Sequence, residues 1–181
     1  ADGAVHPKEF EKLAPYLDRN VIVQGSRILR GDLPPIEGKP FYRRFFSLAL
    51  SYMFCLLFRV GVRDPQGAGF RLYLTDTISP IIPNLRLKHD GMKDTEIIVR
   101  AYGLGIAIKE IPVSYTHDND SRCVPNLPAQ TILVAIFAAI ALLQIWFWCG
   151  IDYHQGKFKQ SPIRGALFFW PAVFFKKSVI P

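Results

Sequence analysis

The sequence is poor in the residues that staple or metallate small folds. It has three cysteines, Cys55, Cys123 and Cys149, an odd number with no Cys-x-x-Cys pair. That argues against a disulfide framework and against a zinc centre, and leaves reduced thiols as the expected state. The four histidines, His6, His89, His117 and His154, show no metal-ligand spacing. No secretory leader opens the chain, and no internal repeat or low-complexity tract interrupts it. Basic residues outnumber acidic ones, for a net charge of +7 over 181 residues. They are scattered, however, and no nucleic-acid motif accompanies them, so a nucleic-acid partner is not expected. Anionic headgroups or phosphorylated ligands suit the charge better.

What the chain does have is one long apolar run. Thr131–Cys149 (TILVAIFAAIALLQIWFWC) carries no charge and a single strongly polar side chain, Gln144. A helix of about 19 residues rises roughly 28 Å, close to a hydrocarbon core of about 30 Å. Trp146 and Trp148 stand at its far end, where an aromatic belt is expected. The run predicts a transmembrane helix within 125–150. Gly165–Phe175 is apolar but short and holds Pro171, which predicts an interfacial, re-entrant or truncated second membrane segment in a juxtamembrane tail, 151–181.

The first two thirds read as mixed α/β. Pro7 and the spacing Phe10, Leu13, Leu17 predict a helix after His6. Val21–Gln24 predicts a buried strand running into a Gly25-Ser26-Arg27 loop. Three prolines and two glycines mark 31–40 as a loop. Phe41–Val60 predicts an apolar helix, core or interfacial, with Arg43, Arg44 and Arg59 snorkelling or binding ligand. Phe70–Leu74 predicts a strand and Thr75–Pro83 a short helix. Asp94–Tyr102 predicts a helix closed at Gly103, and Ile106–Tyr115 a strand that Pro112 confines to an edge.

Several short motifs stand in a fixed order along this region. They are Ala1-Asp2-Gly3 with His6-Pro7 and Glu9; Val23-Gln24-Gly25-Ser26-Arg27; Tyr42-Arg43-Arg44 with Ser47; Asp64 with Gly69-Phe70-Arg71; Asp94-Thr95-Glu96 with Arg100-Ala101; Ile108–Val113; and Ser121-Arg122. In that order and spacing, residues 1–124 resemble the C-terminal half of family-two glycosyltransferases of GT-A (Rossmann-like) fold, dolichyl- and polyprenyl-phosphate sugar synthases above all. The resemblance implies an acceptor and metal half of such a domain, lacking its N-terminal nucleotide-binding half and followed by a transmembrane helix. It implies transfer of a sugar from a nucleotide-sugar donor to a polyprenyl or dolichyl phosphate, with inversion, by an integral membrane protein whose transferase domain faces the cytoplasm.

Site residues follow from the resemblance and agree with elementary chemistry. Asp2 matches the second carboxylate of an Asp-x-Asp pair that holds Mg²⁺ or Mn²⁺ on the donor diphosphate; hard cations take carboxylate and phosphate oxygens. Ser121 and Arg122 match a loop that clamps that diphosphate and stabilises its developing charge. Arg27, Arg43 and Ser47 match the holders of the acceptor phosphate. Arg43 and Ser47 are four apart, on one helical face, and guanidinium grips phosphate bidentately. Asp64 and Glu96 are the remaining acidic candidates for catalysis, as base or as sugar ligand.

Two other readings stay open. One is a glycosyltransferase with a hydroxyl acceptor in surface-polysaccharide synthesis; the absence of a Gln-x-x-Arg-Trp motif counts against it. The other is a non-catalytic, membrane-docked binding subunit, which the missing nucleotide-binding half favours.

Overall fold

The computed structural model describes residues 5–16, 21–29, 41–65, 69–87, 90–114 and 128–164. Asp2, Ser121, Arg122, the 31–40 segment and the apolar Gly165–Phe175 stretch lie outside the described residues.

Among the described residues three strands form one sheet. β1 (Val21–Ser26) lies between β2 (Arg71–Leu72), antiparallel to it, and β3 (Ala107–Pro112), parallel to it from Val21 opposite Ala107 to Ser26 opposite Pro112. A strand covered on both faces should be apolar without alternation, and β1 is buried at every residue after Val21. Ile22 packs on one side with Ile78, Ile81, Ile97 and Ala101. Val23 packs on the other with Leu13, Phe70, Ile111 and Val113. Pro112 ends β3, which pairs only with β1 among the described residues, as its missing N–H requires.

Gly25 is needed for close packing. A Cβ there would stand 2.8 Å from Cγ2 of Val113 and 3.0 Å from the Phe70 ring. Its amide donates to the Phe70 carbonyl at 2.8 Å, drawing the 69–72 segment onto β1.

Among the described residues there are four α-helices: α1 (Phe41–Leu57), α2 (Thr75–Ile78), α3 (Asp90–Gly103), which packs on β3, and α4 (Pro128–His154). α3 is sandwiched. Ile97 and Ala101 face the sheet and α2, whereas Ile98 and Val99 face Phe54 of α1, Phe58 just after it, and Leu142, Ile145 and Cys149 of α4. Its C-terminus closes two residues later than the sequence predicts. Gly105, at φ +83°, takes the left-handed position, with Ile106 N donating to Ala101 O and Gly105 N to Tyr102 O.

The helix predicted after His6 is instead two 3₁₀ turns, Pro7–Lys12 and Ala14–Tyr16. Pro15 has no N–H to give to the carbonyl of Glu11, so an α-helical ladder fails there. The predicted strand at 70–74 shrinks to β2, and the helix at 75–83 to α2 followed by a 3₁₀ turn at Ile82–Asn84.

α1 and α4 pack along one another. The buried side of α4 steps through Thr131, Ala135, Ala138, Leu142, Ile145, Cys149 and Asp152, small or medium residues at helical spacing that let the two helices approach. After α4 the chain stays on the domain as far as Arg164. Lys159 N and Gln160 N both donate to Gly103 O, Arg59 N donates to Pro162 O, and Arg164 N donates to Leu57 O.

Candidate functional site

Two charged clusters organise the chemistry. The first stands at the carboxyl end of β1, where α/β sheets present ligand-binding groups. Arg27 leaves β1 and meets Asp64. Its Nε donates to Oδ2 at 2.8 Å, its Nη2 to Oδ1 at 2.7 Å and its amide to Oδ2 at 3.0 Å. This is the fork-on-carboxylate geometry that favours arginine over lysine. Asp64 is 1% exposed, so the pair forms in a poorly hydrated setting, where each group needs the other.

Glu110 of β3 fixes the segment that carries Asp64. Its carboxylate accepts from Arg63 N and Asp64 N, both at 2.8 Å, and from Gln24 Nε2 at 3.1 Å. Gln24, 0% exposed within β1, also donates to Asp64 O at 2.8 Å and accepts from Arg71 Nε at 3.1 Å. Arg71 continues to Pro65 O at 2.9 Å and to the Asp94 carboxylate at 2.6 Å. Burial draws the Arg71 pKa below its ordinary value, with Asp94 and Asp64 pulling the other way. A buried polar group must be satisfied. Here the satisfaction runs in a chain from β3 through the 63–65 segment to Arg27, so the guanidinium is held from behind.

The second cluster contains Glu96. Its carboxylate, on a residue 1% exposed, accepts from Arg100 Nε at 2.7 Å, from Arg86 N at 3.0 Å and from Leu87 N at 2.9 Å. Arg100 passes the connection to Asp152 of α4 through Nη1 at 2.9 Å. Asp152 also accepts from Arg86 Nη2 at 2.8 Å and Lys157 Nζ at 3.1 Å. The Arg86 guanidinium lies over the Trp148 ring, 4.7 Å from its centroid. This cluster joins α3, the 85–87 segment and the C-terminal turns of α4.

The structure thus brings Arg27 and Asp64 together and gives Glu96 to a different cluster. Arg43 is 4% exposed on α1, with Ser47 one turn further along and half-buried. Among the described residues no group of three or more His, Cys, Asp or Glu side chains could hold a metal ion. The expectation of Mg²⁺ or Mn²⁺ therefore rests on Asp2 alone. Sequence reasoning missed Gln24 and Glu110, whose signal was a polar residue inside each strand pattern. It missed Asp152 too, the one acidic side chain in the last turns of an otherwise uncharged helix.

A small α/β sheet with a carboxylate-paired arginine at a strand end, followed by a helix long and apolar enough to cross a membrane by length and composition, defines a mixed α/β protein. Sequence comparison narrows this. The chain is 25% identical over 127 residues to a dolichyl-phosphate β-glucosyltransferase of Trichomonas vaginalis, covering 67% of this chain and 37% of that protein. A second such protein of that organism matches at 26% over 151 residues, 80% of this chain and 46% of the relative. The dolichyl-phosphate β-glucosyltransferase of Mus musculus matches at 27% over 132 residues, 69% of this chain and 40% of the relative. The resemblance to family-two GT-A glycosyltransferases is therefore one of homology, and the chain spans less than half the length of these relatives. No family model matches the chain. No solved structure matches it either.

Proposed function

We propose that the chain is the acceptor-binding part of a membrane-attached glycosyltransferase that moves a glucosyl group from a nucleotide-sugar to a dolichyl or related polyprenyl phosphate, with inversion. The observation that carries this reading is the alignment of most of the chain with proteins named dolichyl-phosphate β-glucosyltransferases. Arg27, Arg43 and Ser47 hold the acceptor phosphate. Ser121 and Arg122 hold the donor diphosphate, with Asp2 as a ligand of the Mg²⁺ or Mn²⁺ that neutralises it. A phosphate acceptor is already anionic near neutral pH and needs no strong base. Asp64 accordingly acts through Arg27, fixing the guanidinium for the phosphate, and Glu96 ties the 85–87 segment to α3, whose Asp94 meets Arg71. The apolar helices attach the protein to its membrane, with the transferase half on the cytoplasmic side.

The test is transfer itself. The purified chain, alone and combined with a separately expressed nucleotide-binding half, is incubated with radiolabelled nucleotide-glucose and dolichyl phosphate. Butanol-extractable label that depends on both substrates and on Mg²⁺ or Mn²⁺ is the expected result. If neither preparation transfers glucose and the chain does not bind dolichyl phosphate, the non-catalytic binding-subunit reading with another ligand replaces it.

A further inference from the structure

The exposed apolar surface of this protein is concentrated. Of the large hydrophobic side chains that are exposed among the described residues, all but four (Phe10, Tyr73, Leu74 and Ile82) lie on α1 or α4. On α1 they form one stripe, Phe41, Phe45, Leu48, Tyr52 and Leu56, from 54% to 83% exposed at spacings of three and four. On α4 the outer face carries Ile132, Ile136, Phe137, Ile140, Leu143 and Phe147, with Gln144 as the exposed polar residue between Thr131 and Cys149. The two helices pack together, so the stripes belong to one surface. An exposed apolar area of this extent marks an interaction site.

The ends of α4 constrain what covers it. Its C-terminal turns are sewn into the domain by Asp152 to Arg100 and Arg86, and the following residues by Lys159 and Gln160 to Gly103 and by Arg164 to Leu57 and Phe58. Its N-terminal end is joined to β3 through residues 113–127, of which 115–127 lie outside the described residues. Val113 N still donates to Ser26 O, and Ser114 Oγ donates to the Glu9 carboxylate. If α4 crossed a bilayer from the transferase side, Asp152–Arg164 would stand on the far side, away from the partners they are bonded to. If it crossed in the other sense, the sequence between Ser114 and Pro128, with Asp118, Asp120 and Arg122, would have to recross the hydrocarbon as irregular polar chain, which lipid does not tolerate. α4 is long and apolar enough to span by length and composition, but its C-terminal turns are held on the domain, and its other end leads in sequence through 115–127 back to that same domain.

We infer that α1 and α4 form a single lipid-binding surface lying against one leaflet, with both ends of α4 on the transferase side. The basic residues around it, Arg44 and Arg59 on and just beyond α1 and Lys157 and Lys159 after α4, suit anionic headgroups. This placement rests on the membrane attachment proposed above and is independent of the transferase reading. It sets Arg43 and Ser47, on α1, at the level where a membrane-held phosphate would stand.

Two measurements on the full chain test it. Cysteines are introduced one at a time at the exposed positions Ala129 and Gln155 in a Cys55→Ser, Cys123→Ser background, and sealed proteoliposomes of phosphatidylcholine and phosphatidylserine are treated with a membrane-impermeant maleimide. Both positions should label from the same side; labelling from opposite sides overturns the proposal in favour of a span. In flotation with the same vesicles, Leu48→Glu with Tyr52→Glu should reduce partitioning about tenfold or more, since one Leu-sized side chain moved into hydrocarbon accounts for about that factor. Ile82→Glu, on an exposed apolar residue away from the pair, should not change it. Both α1 residues are exposed, so the helical circular dichroism should persist. Unchanged flotation of the α1 variant overturns the inference, as does a stable dimer that stays at the bottom of the gradient with vesicles present and protects these residues. Neither readout involves sugar transfer, so the transferase reading stands or fails separately.

Discussion

Asp152 and Arg100 are 1% and 3% exposed and face one another at 2.9 Å. Two buried charges persist only in company, because each has lost its hydration. Asp152→Asn removes the carboxylate that Arg100 and Arg86 share and leaves the Arg100 guanidinium with Glu96 alone. Breaking a buried pair from one side costs about 3–5 kcal/mol, and urea titration in mild detergent should show a loss of that order. Replacing both partners, Arg100→Met with Asp152→Leu, strips buried Glu96 of its arginine and should not recover that loss; adding Glu96→Gln, which removes the remaining buried charge and keeps an acceptor for Arg86 N and Leu87 N, should recover part of it. Gly25 gives a steric counterpart. Gly25→Ala forces a methyl to within 2.8 Å of Val113 Cγ2 and against Phe70. Such overpacking typically costs about 1–3 kcal/mol, and the variant's thermal midpoint should fall accordingly.

Among the elements, the 3₁₀ turn at Pro7–Lys12 is held by one carboxylate. Glu9 accepts from Ser114 Oγ and pairs with Lys12 Nζ at 2.6 Å, while Lys12 reaches Pro112 O at 3.3 Å. Burial alone would raise the Glu9 pKa, but Lys12 and Ser114 outweigh it and hold the pKa below its ordinary value. A carboxyl whose pKa is lower folded than unfolded binds fewer protons in the folded state. Its stabilisation is complete above the unfolded value of about 4.3 and is lost as pH falls through the lower folded value. Thermal midpoints measured downward from about pH 6 should therefore fall more steeply for the native chain than for Glu9→Gln. The two curves should converge at the acid end; parallel curves would remove Glu9 from the acid limb. The element-scale lesson about legibility lies here too. Phe10, Leu13 and Leu17 at helical spacing signal a helix, but the ladder needs the N–H that Pro15 lacks. Conversely, β1 and α4 were readable because a short β-branched run and a long uncharged run each have few other stable conformations.

At the scale of the whole molecule, the sequence made the order of parts legible but not their joining. That Arg27 stands at a strand end followed from Val21–Gln24 and the Gly-Ser-Arg loop. That Asp64 holds it did not, because the pairing crosses 37 residues of chain and depends on Glu110 steering the 63–65 segment. Glu96 was legible as a carboxylate near a helix start; its partners Arg86 and Asp152 lie on other elements and leave no local pattern. The bonds that tie the C-terminal turns of α4 to the domain were equally hidden, since an apolar run does not say where its ends are held.

The assembled enzyme offers the sharpest test of how the molecule divides its labour. If Arg43 of α1 holds the acceptor phosphate, Arg43→Ala removes a charge-assisted contact of about 1.5–3 kcal/mol. Apparent affinity for dolichyl phosphate should then fall roughly 10- to 150-fold at about 1.4 kcal/mol per decade. The Michaelis constant for the nucleotide-sugar should scarcely move, because the diphosphate is assigned to Asp2, Ser121 and Arg122. Arg43→Lys should recover only part of the loss, since an ammonium cannot make the two-pronged contact. Arg43 is also nearly buried, so a stability effect must be separated from a binding effect: the Lys variant keeps the charge and most of the volume, and its thermal midpoint supplies the control. Steady-state titration of each substrate against each variant reads the outcome. A loss confined to the nucleotide-sugar would move Arg43 to the donor side and leave Arg27, steadied by Asp64, as the phosphate ligand of the acceptor.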